Sequence, residues 1–447
     1  MDVWKEFKSR TYSCFTGMPH ESKINRKHEV PMKIVLKDEF KDAAPPPPRT
    51  YKTPFHLLAI LKKSLIEMLK AGWIRPSTSD WCSPVIIIPK PHQDLANLAP
   101  EEVKYRVCVD LSAVNTRTKT EHYRVPDVSS AWDKLSKSKY FSVLDLEKGF
   151  WQSKICKTDD SIARTAFSCE FGHYEFVTAP MGAKNSPAHF QSQIESMLRR
   201  GGLMDLGVLR VTGPETVKLV NGTPCVHTHI DDLIVYSNTK SDHLRDLDRV
   251  CRALSDEQYY CNRDKCFFFC EYVKYVGGIV GQGFLAMDPD KVVAIDTWEQ
   301  PTTTTEMRGF LGMCNFLRRW YQHYAEDAST LNQLLKKGAQ VVRDWNGDHS
   351  KAFERIKLAF KTNPILRLPD FDKAFVLHTD SCDHSIGAAL LQDHDGHLLP
   401  CAYHSRSMND AEMNYPVRDQ EGLALVDGFK KFNYYLRGAK CTGPVIW

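Results

Sequence analysis

The 447-residue sequence lacks long apolar runs, closely spaced cysteine pairs and a strong net charge. No apolar run approaches the roughly 20 residues of a membrane-spanning helix, which predicts no membrane partner. No C-x-x-C pair occurs among the 14 cysteines. Cys266 and Cys270 are four apart without a second ligand pair nearby, which disfavours a zinc site. The scattered thiols and the lack of a signal peptide favour a reducing compartment, and we expect a cytoplasmic protein.

Charge and length set further limits. Lys and Arg number 59 against 55 Asp and Glu, a net charge of only +4, so contacts to nucleic acid would need local clusters of positive charge. The chain is too long for one ordinary domain, and its hydrophobic content of 42% is enough for two to four cores. No internal repeat is visible.

The residues 229–237 organise the rest of the chain. Their order is a β-prone strand, a tight turn that carries Asp231 and Asp232, and a return strand of apolar residues. A turn between paired strands holds two carboxylates rigidly at a sheet edge, where a cation would neutralise their charge. The alternative is a solvated Asp-Asp turn without a role.

A second carboxylate segment favours the metal hypothesis. The apolar run 141–146 carries the single Asp145 near its end. One carboxylate on a strand and an Asp pair on a later hairpin are what a two-metal phosphoryl-transfer site needs, with two Mg²⁺ ions about 4 Å apart. Asp159-Asp160 is the same dipeptide without flanking apolar strands, and we interpret it as a surface turn or helix start.

Other patterns predict the surrounding elements. Residues 81–90 and 105–110 read as paired strands that place Lys90 and Arg106 where both could bind one anionic group, although each alone is more often a solvated charge. Asn185-Ser186-Pro187 begins a helix, 201–224 forms an extended loop or an extra hairpin, and Thr303 with Glu306 forms a capping box. The stretch 412–435 reads as a helix with an apolar side formed by Leu423, Leu425, Val426, Phe429 and Phe432.

In this order the segments resemble the reverse transcriptase and ribonuclease H region of Ty3/gypsy-type LTR retroelement polyproteins. An Asp-Asp turn alone is weak evidence for this family, but a series of sequence blocks in the family's order is specific evidence. The blocks are 72–77, 81–90, 106–115, 141–146, 149–152, 165–167 with 171–172, 180–187, 230–232, 310–312 and 378–380.

The resemblance implies an α+β fold: a right-hand polymerase with fingers, palm and connection, followed by an RNase H-like α/β domain. The implied boundaries are a partly disordered leader over 1–44, fingers and palm over 45–300, a helical thumb or connection over 301–368, and the RNase H-like domain over 369–447. That last domain would be incomplete, because Lys440 to Trp447 bring no further Asp, so RNase H activity is doubtful.

The resemblance also implies roles for residues. Asp145, Asp231 and Asp232 would be the catalytic ligands of two Mg²⁺ ions. Nucleotide binding would use Lys90 and Arg106 on the triphosphate, Phe150 under the sugar and Met181 in the same pocket. Val276, Gly277 and Gly278 would grip the primer end, and Asp380 and Glu421 would be what is left of the RNase H site.

The leading hypothesis is an RNA-directed DNA polymerase, a nucleotidyltransferase. Its partners would be an RNA or DNA primer-template and deoxynucleoside triphosphates, with a dimer or polyprotein neighbours in addition, in the cytoplasm or in virus-like particles. Two departures from the family pattern are His229, where Tyr or Phe is usual, and Ser112, where Arg is usual. They favour the alternative, a catalytically impaired remnant that only binds nucleic acid or a partner.

Overall fold

A computed structural model describes residues 7, 10–90, 102–123, 127–204, 209–213, 216–219, 225–362, 365–437 and 445–446. The chain forms two compact units, each with helices and sheets. The first comprises Met1–Asp127 with Phe141–Cys270, and the second Val128–Tyr140 with Glu271–Trp447. None of the helices in these described ranges is long and apolar enough to cross a membrane.

The strands of the first unit form two main sheets and a separate hairpin. One sheet has the order β1-β6-β5-β2-β3, the other has the order β11-β4-β10-β9, and β7 pairs with β8. The strands are β1 (Ile74–Pro76), β2 (Ser83–Pro89), β3 (Tyr105–Val109), β4 (Tyr140–Asp145), β5 (Phe167–Cys169), β6 (Gly172–Phe176), β7 (Leu209–Gly213), β8 (Thr216–Leu219), β9 (Val226–His229), β10 (Asp232–Ser237) and β11 (Phe267–Cys270).

Several sequence predictions are confirmed in this unit. β2 and β3 pair antiparallel, so the strands that carry Arg106 and lead to Lys90 are partners. The extra hairpin expected within 201–224 is the β7–β8 pair. The sequence between these strands, which contains Leu95 to Glu102, predicts a polar loop or hairpin tip, and most of this stretch, residues 91–101, lies outside the described residues.

The larger core of this unit lies beneath the β4–β10 sheet. Leu233, Ile234 and Val235 of β10 are fully buried, which is why this strand reads as a continuous apolar run. Helices Ser186–Arg200 and Lys240–Asp256 pack their apolar sides into this core. Two further helices are Leu58–Ala71, which Gly72 ends at φ 77°, and Ser112–Arg117.

Within the leader, the described residues pack against the rest of the first unit. Met32 forms a bridge with Ile155, and Leu36 forms one with Thr118. Met32, Ile34 and Leu36 are all buried. The expectation of a partly disordered leader rested on polar composition, which did not reveal that these three apolar residues at alternate positions are buried.

The second unit carries two further sheets. The first is the antiparallel β12-β13-β14-β15 sheet, and the second has the order β18-β17-β16-β19, with β19 parallel to β16. The strands are β12 (Tyr272–Tyr275), β13 (Gly278–Gly281), β14 (Phe284–Met287), β15 (Ile365–Arg367), β16 (Phe375–Cys382), β17 (Ser385–His394), β18 (His397–Ser407) and β19 (Val445–Ile446).

The helices of the second unit include the capped helix that the sequence predicts. Thr303 accepts a hydrogen bond from the Glu306 amide, and the Glu306 carboxylate accepts one from the Thr303 amide, a complete capping box. The helices are Val128–Asp133, Pro289–Asp296, Thr304–Leu317, Tyr324–Asn332, Val341–Asp344, Gly347–Thr362, Val417–Lys431 and Asn433–Leu436.

Helix Val417–Lys431 packs through a different side from the one that its apolar periodicity predicts. It buries Gln420, Ala424 and Gly428, whereas Val426 and Phe429 are 49% and 41% exposed. A Cβ at position 428 would lie 3.1 Å from the Ala388 Cβ, so small residues bring this helix close to its sheet. The prediction that Val426 and Phe429 lie on the packed side is therefore wrong.

Candidate active site

Three carboxylates lie on neighbouring strands of the first unit. Asp145 ends β4, Asp232 begins β10, and these two strands are adjacent. The Leu146 amide donates to the Asp231 carbonyl oxygen at 3.1 Å, which ties the hairpin loop to the end of β4. The strand-turn-strand predicted over 229–237 is confirmed, with Asp232 paired to His229.

The loop of this hairpin is strained at its first residue. Ile230 has φ 56°, a left-handed value that β-branched residues rarely adopt. A two-residue loop with positive φ at its first position only is the pattern of a type II′ turn, where glycine is usual. The turn aims Asp231 and Asp232 at a cost in backbone energy of about 1–3 kcal/mol.

The side chain of Gln191 stabilises the strained loop from below. Its Oε1 accepts from the Ile230 amide at 2.5 Å, and its Nε2 donates to the Thr228 carbonyl at 3.1 Å. Gln191 is fully buried and also donates to Glu195 Oε1 at 2.8 Å. Helix Ser186–Arg200 therefore holds β9 and the first residue of the hairpin loop.

Gly149 gives the Asp231 carboxylate its space. A Cβ at position 149 would lie 2.1 Å from Asp231 Oδ1 and 3.1 Å from the Phe190 ring. Real Cβ atoms do not approach an oxygen so closely, so any side chain here must displace Asp231 or its own turn.

Burial and the repulsion between neighbouring negative charges raise the pKa of these carboxylates. Burial raises the pKa of Asp231 to about 6, with the charges of Asp232 and Asp145 adding to the effect. Burial, then the Asp145 charge, raises the pKa of Asp232. Burial also raises the pKa of Asp145, although the ammonium of Lys265 opposes the rise. The three groups are close enough to repel one another.

The segment that follows helix Lys240–Asp256 contacts Asp145 directly. Lys265 Nζ lies 3.7 Å from Asp145 Oδ2, and the Asn262 amide donates to the Asp145 carbonyl at 2.9 Å. Lys265 supplies one positive charge against three carboxylates, so the site remains short of positive charge.

The carboxylate oxygens of these three residues are the kind of ligand that a divalent cation binds. Asp231 Oδ1 is buried and makes no hydrogen bond within the described ranges, and carboxylate oxygens are the ligands that Mg²⁺ prefers. Among the described residues, however, no three His, Cys, Asp or Glu side chains are arranged as a finished metal site. A cation would both satisfy the buried oxygen and offset the repulsion.

His229 lies opposite Asp232 on β9. Burial lowers its pKa, although the Asp127 charge opposes this, so the ring is neutral near pH 7. Its buried Nδ1 makes no hydrogen bond in the described part of the chain.

The other Asp-Asp dipeptide, Asp159-Asp160, lies in a surface turn, as its sequence predicts. Asp159 accepts a hydrogen bond from the Ser161 amide, and the Asp160 side chain is 80% exposed.

The predicted nucleotide-binding residues lie on two parts of the first unit. Arg106 is exposed and pairs with Ile88, and the Lys90 amide donates to the Lys104 carbonyl, so Lys90 and Arg106 share one face of the β2–β3 hairpin. Phe150 is half-buried in a short 3₁₀ turn, with its ring edge-on to Phe190 at 5.9 Å. Met181 is half-buried.

The predicted primer grip is a tight turn in the second unit. Val276 and Gly277, at φ 46° and 77°, join β12 to β13, and Gly278 is buried at the start of β13. Two left-handed residues in a row define a type I′ turn, in which Val is unfavourable. A Cβ at position 277 would meet Lys291 Nζ at 2.5 Å.

The two predicted RNase H residues lie on elements that pack together. Asp380 is exposed on β16, and Glu421 lies on helix Val417–Lys431, where its Oε1 accepts from Ser381 at 2.8 Å. The other Glu421 oxygen is buried without a hydrogen bond among described residues. Asp380 lines a cavity of about 460 Å³ with Gln322, His378, Thr379 and Gly387.

Sequence reasoning missed Gln191, Gly149 and Lys265. Gln191 lies 39 residues before its partner Ile230, and a lone Gln on a helix gives no signal of such a contact. Gly149 stands next to Phe150 in the block 149–152, so a tight approach there could have been suspected. Lys265 gives no signal of its own.

Comparisons with known proteins identify similar families. Residues 88–280 match the family model described as reverse transcriptase (RNA-dependent DNA polymerase), and residues 345–442 match the one described as RNase H-like domain found in reverse transcriptase. The Pol polyprotein from transposon 297 of Drosophila melanogaster is 35% identical over 83% of this chain and 32% of its own length. That from transposon opus of the same species is 34% identical over 88% of this chain and 37% of its own length.

A more distant relative matches nearly all of the chain. The Tf2-3 transposon polyprotein of Schizosaccharomyces pombe is 28% identical over 97% of this chain and 30% of its own length. The chain thus spans about a third of the length of these curated relatives.

Solved structures share the fold. A foamy viral protease-reverse transcriptase in complex with double-stranded DNA superposes with a TM-score of 0.78 at 21% identity, over 99% of this chain and 70% of that one. A second, bound to an RNA/DNA hybrid, gives 0.74 at 20% identity over 99% and 54%. These likenesses confirm the α+β fold class predicted from the sequence.

Proposed function

Because this chain belongs to the reverse transcriptase family of Ty3/gypsy-type retrotransposon Pol polyproteins, we propose that it is an RNA-directed DNA polymerase. It extends a primer by nucleotidyl transfer on an RNA or DNA template. The observation that carries the proposal is the carboxylate set: Asp145 on β4, with Asp231 and Asp232 beside it at the start of β10, where Asp231 Oδ1 is buried and makes no hydrogen bond among the described residues.

Asp145, Asp231 and Asp232 would hold two Mg²⁺ ions. When bound, such a pair activates the primer hydroxyl and neutralises charge on the reacting phosphate and its leaving group. The protein holds the three carboxylates on one rigid sheet edge and fixes the hairpin turn through Gln191. The raised pKa of Asp231 means that protons compete with cations as the pH falls through about 6.

The nucleotide is a deoxynucleoside triphosphate in this proposal. Lys90 and Arg106 share one face of the β2–β3 hairpin. This arrangement would let their two positively charged side chains bind one triphosphate together. Phe150 follows Asp145 by five residues, and its ring is fixed edge-on against Phe190. A fixed ring under the sugar would exclude a 2′-hydroxyl, while Met181 lines the same pocket.

A primer-template duplex is the proposed macromolecular partner. The similar foamy viral structures are in complexes with double-stranded DNA and with an RNA/DNA hybrid. The Val276–Gly278 turn is our proposed primer grip, because this segment resembles the family's grip on the primer end; Val276 and Gly277 both have positive φ. The domain boundaries at 44, 300 and 368 and a cytoplasmic location, or one within virus-like particles, remain part of this proposal.

Besides the two sequence departures at His229 and Ser112, the impaired-remnant hypothesis has one structural observation in its favour. His229 replaces the aromatic residue usual in the family and leaves a buried ring nitrogen without a partner in the described ranges. A neutral His would pack less well against a primer end than Tyr does.

Primer extension on an RNA template with Mg²⁺ distinguishes the two hypotheses. The polymerase hypothesis predicts extension by the wild-type protein and faster extension by His229→Tyr. The remnant hypothesis predicts duplex binding without extension by either protein.

A further inference from the structure

Lys148 adopts a backbone conformation that residues with a side chain usually avoid. Its φ is 50° and its ψ is 45°, which is the left-handed region that favours glycine. The residue lies between Asp145 at the end of β4 and the 3₁₀ turn Gly149–Gln152. Such a conformation persists where the surrounding contacts hold it.

The side chain of Lys148 is held by an ion pair and by two indole rings. Its Nζ donates to Glu67 Oε1 at 2.8 Å. The same atom lies 4.4 Å from the ring centroid of Trp73 and 5.7 Å from that of Trp151. At these distances the face of an indole attracts a cation. We call these four residues the lysine clamp.

The lysine clamp joins two separate parts of the first unit. Trp73 is 4% exposed and packs in the hydrophobic core, and its ring centroid lies 4.3 Å from that of Trp151. The Trp151 amide donates to the Lys148 carbonyl at 2.9 Å, so this indole belongs to the same turn as the lysine. Glu67 lies on helix Leu58–Ala71. The clamp therefore fastens the turn after β4 to that helix and to the core.

The turn that the lysine clamp holds carries two groups of the candidate active site. Gly149 follows Lys148 directly, and a Cβ at position 149 would overlap Asp231 Oδ1. Phe150 comes next, with its ring edge-on to that of Phe190 at 5.9 Å. A rotation of Lys148 to an ordinary φ would move both residues, because they follow it in the chain. The conformation of Lys148 thus sets the approach of Gly149 to Asp231 and the place of the Phe150 ring.

We propose that Lys148 is a positioning residue whose clamp holds the left-handed turn that places Gly149 and Phe150, a role that rests on the proposed polymerase function. Lys148 acts through the backbone and not as a ligand of a phosphate group. Its ammonium is already engaged by the Glu67 carboxylate and by two indole faces. Loss of the clamp lets the turn relax, which displaces Phe150 and changes the space around Asp231.

Three substitutions at position 148 separate the backbone from the side chain. Lys148→Ala and Lys148→Gly both remove the clamp, but only glycine adopts the left-handed conformation without strain. We expect Lys148→Ala to slow single-nucleotide incorporation about tenfold or more, because small displacements at a reacting site are costly. Lys148→Gly should recover most of the lost rate. Lys148→Arg keeps a cation that packs on indole faces, so it should lose less than Lys148→Ala.

Sugar selection is the measurement that a loss of folded protein does not change. A displaced Phe150 ring in Lys148→Ala should raise the ratio of ribonucleotide to deoxynucleotide incorporation efficiency, and Lys148→Gly should bring the ratio back towards wild type. A smaller folded fraction lowers both efficiencies equally and leaves the ratio unchanged. An unchanged ratio in Lys148→Ala, or an arginine variant as impaired as the alanine variant, would overturn the proposal.

Duplex binding distinguishes positioning from a direct contact with nucleic acid. We expect Lys148→Ala and Lys148→Gly to bind the primer-template as wild type does. If Lys148 bound a phosphate group, both variants would bind the duplex more weakly, with a reduced dependence on salt, and glycine would rescue nothing. That outcome would overturn the proposal.

Urea unfolding tests the strained turn independently of activity. At an ordinary φ glycine is less stable than alanine, because the unfolded chain gains more freedom, but at a left-handed position this order reverses. We expect Lys148→Gly to unfold at a higher urea concentration than Lys148→Ala. Lys157 is the matched control, since it is exposed and does not have a positive φ. There the glycine variant should unfold before the alanine variant.

The two proposals fail in different ways. The same order of glycine and alanine at positions 148 and 157 would overturn the strained turn, whatever the activity. If the wild type extends no primer, the polymerase proposal fails, and the role of Lys148 in incorporation fails with it, while the urea series still decides the strained turn. If the wild type extends primers and Lys148→Ala equals it in rate and sugar ratio, only the positioning role fails.

Discussion

Gly149 contacts the Asp231 carboxylate so closely that a Cβ at position 149 would lie 2.1 Å from Asp231 Oδ1. The substitution Gly149→Ala should therefore displace Asp231 and remove most nucleotide incorporation, with an overpacking cost of about 1–3 kcal/mol in folding stability. Single-nucleotide extension and urea unfolding measure the two effects. Gly312→Ala is the control, because among the described residues no atom lies within 4 Å of a Cβ placed at position 312 in helix Thr304–Leu317. Equal activity of both variants would contradict this contact.

Gln191 should matter more than its neighbour on the same helix. Gln191→Leu leaves the Ile230 amide and the Thr228 carbonyl without their partner, so we expect a loss of about 1–3 kcal/mol in stability. We also expect slower incorporation at unchanged duplex affinity, because the hairpin turn loosens. Gln193→Leu serves as the control, because among the described residues its side chain accepts a single hydrogen bond, from the Val30 amide at 3.3 Å. Similar losses in both variants would show that Gln191 has no special role.

The raised pKa of Asp231 predicts a pH effect on stability without divalent cations. Its carboxyl has a pKa of about 6 in the folded protein against an ordinary 3.8, so the folded state holds the proton more tightly than the unfolded state. Stability is then lost as the pH rises from about 4 to about 6, and the loss is complete above that. Asp231→Asn should be more stable than wild type at pH 8 by about 1–3 kcal/mol.

Urea unfolding in EDTA at pH 5 and pH 8 measures this effect. The wild type should lose more stability between the two pH values than Asp231→Asn does. The exposed Asp160→Asn, by comparison, should follow the wild type at both pH values. A wild-type profile identical to that of Asp231→Asn would mean that Asp231 titrates normally.

Phe150 should select the sugar of the incoming nucleotide. Phe150→Val should raise the ratio of ribonucleotide to deoxynucleotide incorporation efficiency while some deoxynucleotide use remains. Phe55→Val is the control, because the Phe55 side chain is 89% exposed. An unchanged ratio in Phe150→Val, or an equal change in Phe55→Val, would mean that Phe150 does not select the sugar.

Local patterns in the sequence were enough to predict the elements that carry chemistry. The apolar run that ends at Asp145 and the hairpin around Asp231 were readable because strand propensity and turn residues act within a few positions. The Thr303–Glu306 capping box was readable for the same reason. The fold class was implied by the family resemblance that these segments carry.

Contacts between distant segments could not be predicted in this way. The Cys14 carbonyl accepts a hydrogen bond from the Cys261 amide at 2.7 Å, more than 200 positions away, and no local pattern reports such a meeting. The helix Val417–Lys431 shows a second kind of error. Its large apolar residues predicted one packed side, but the helix buries the small residues Ala424 and Gly428 instead. Close packing through small residues produces no peak in hydrophobic periodicity.

The central claim is that Asp231 acts in Mg²⁺-dependent nucleotide incorporation. Its most direct test compares single-nucleotide incorporation by wild type, Asp231→Asn and Asp160→Asn on an RNA template, with duplex binding measured on the same samples. We expect Asp231→Asn to bind the primer-template like wild type, because backbone contacts dominate affinity, and to incorporate nothing detectable. Asp160→Asn should match wild type in both measurements. Near-normal incorporation by Asp231→Asn would contradict the account.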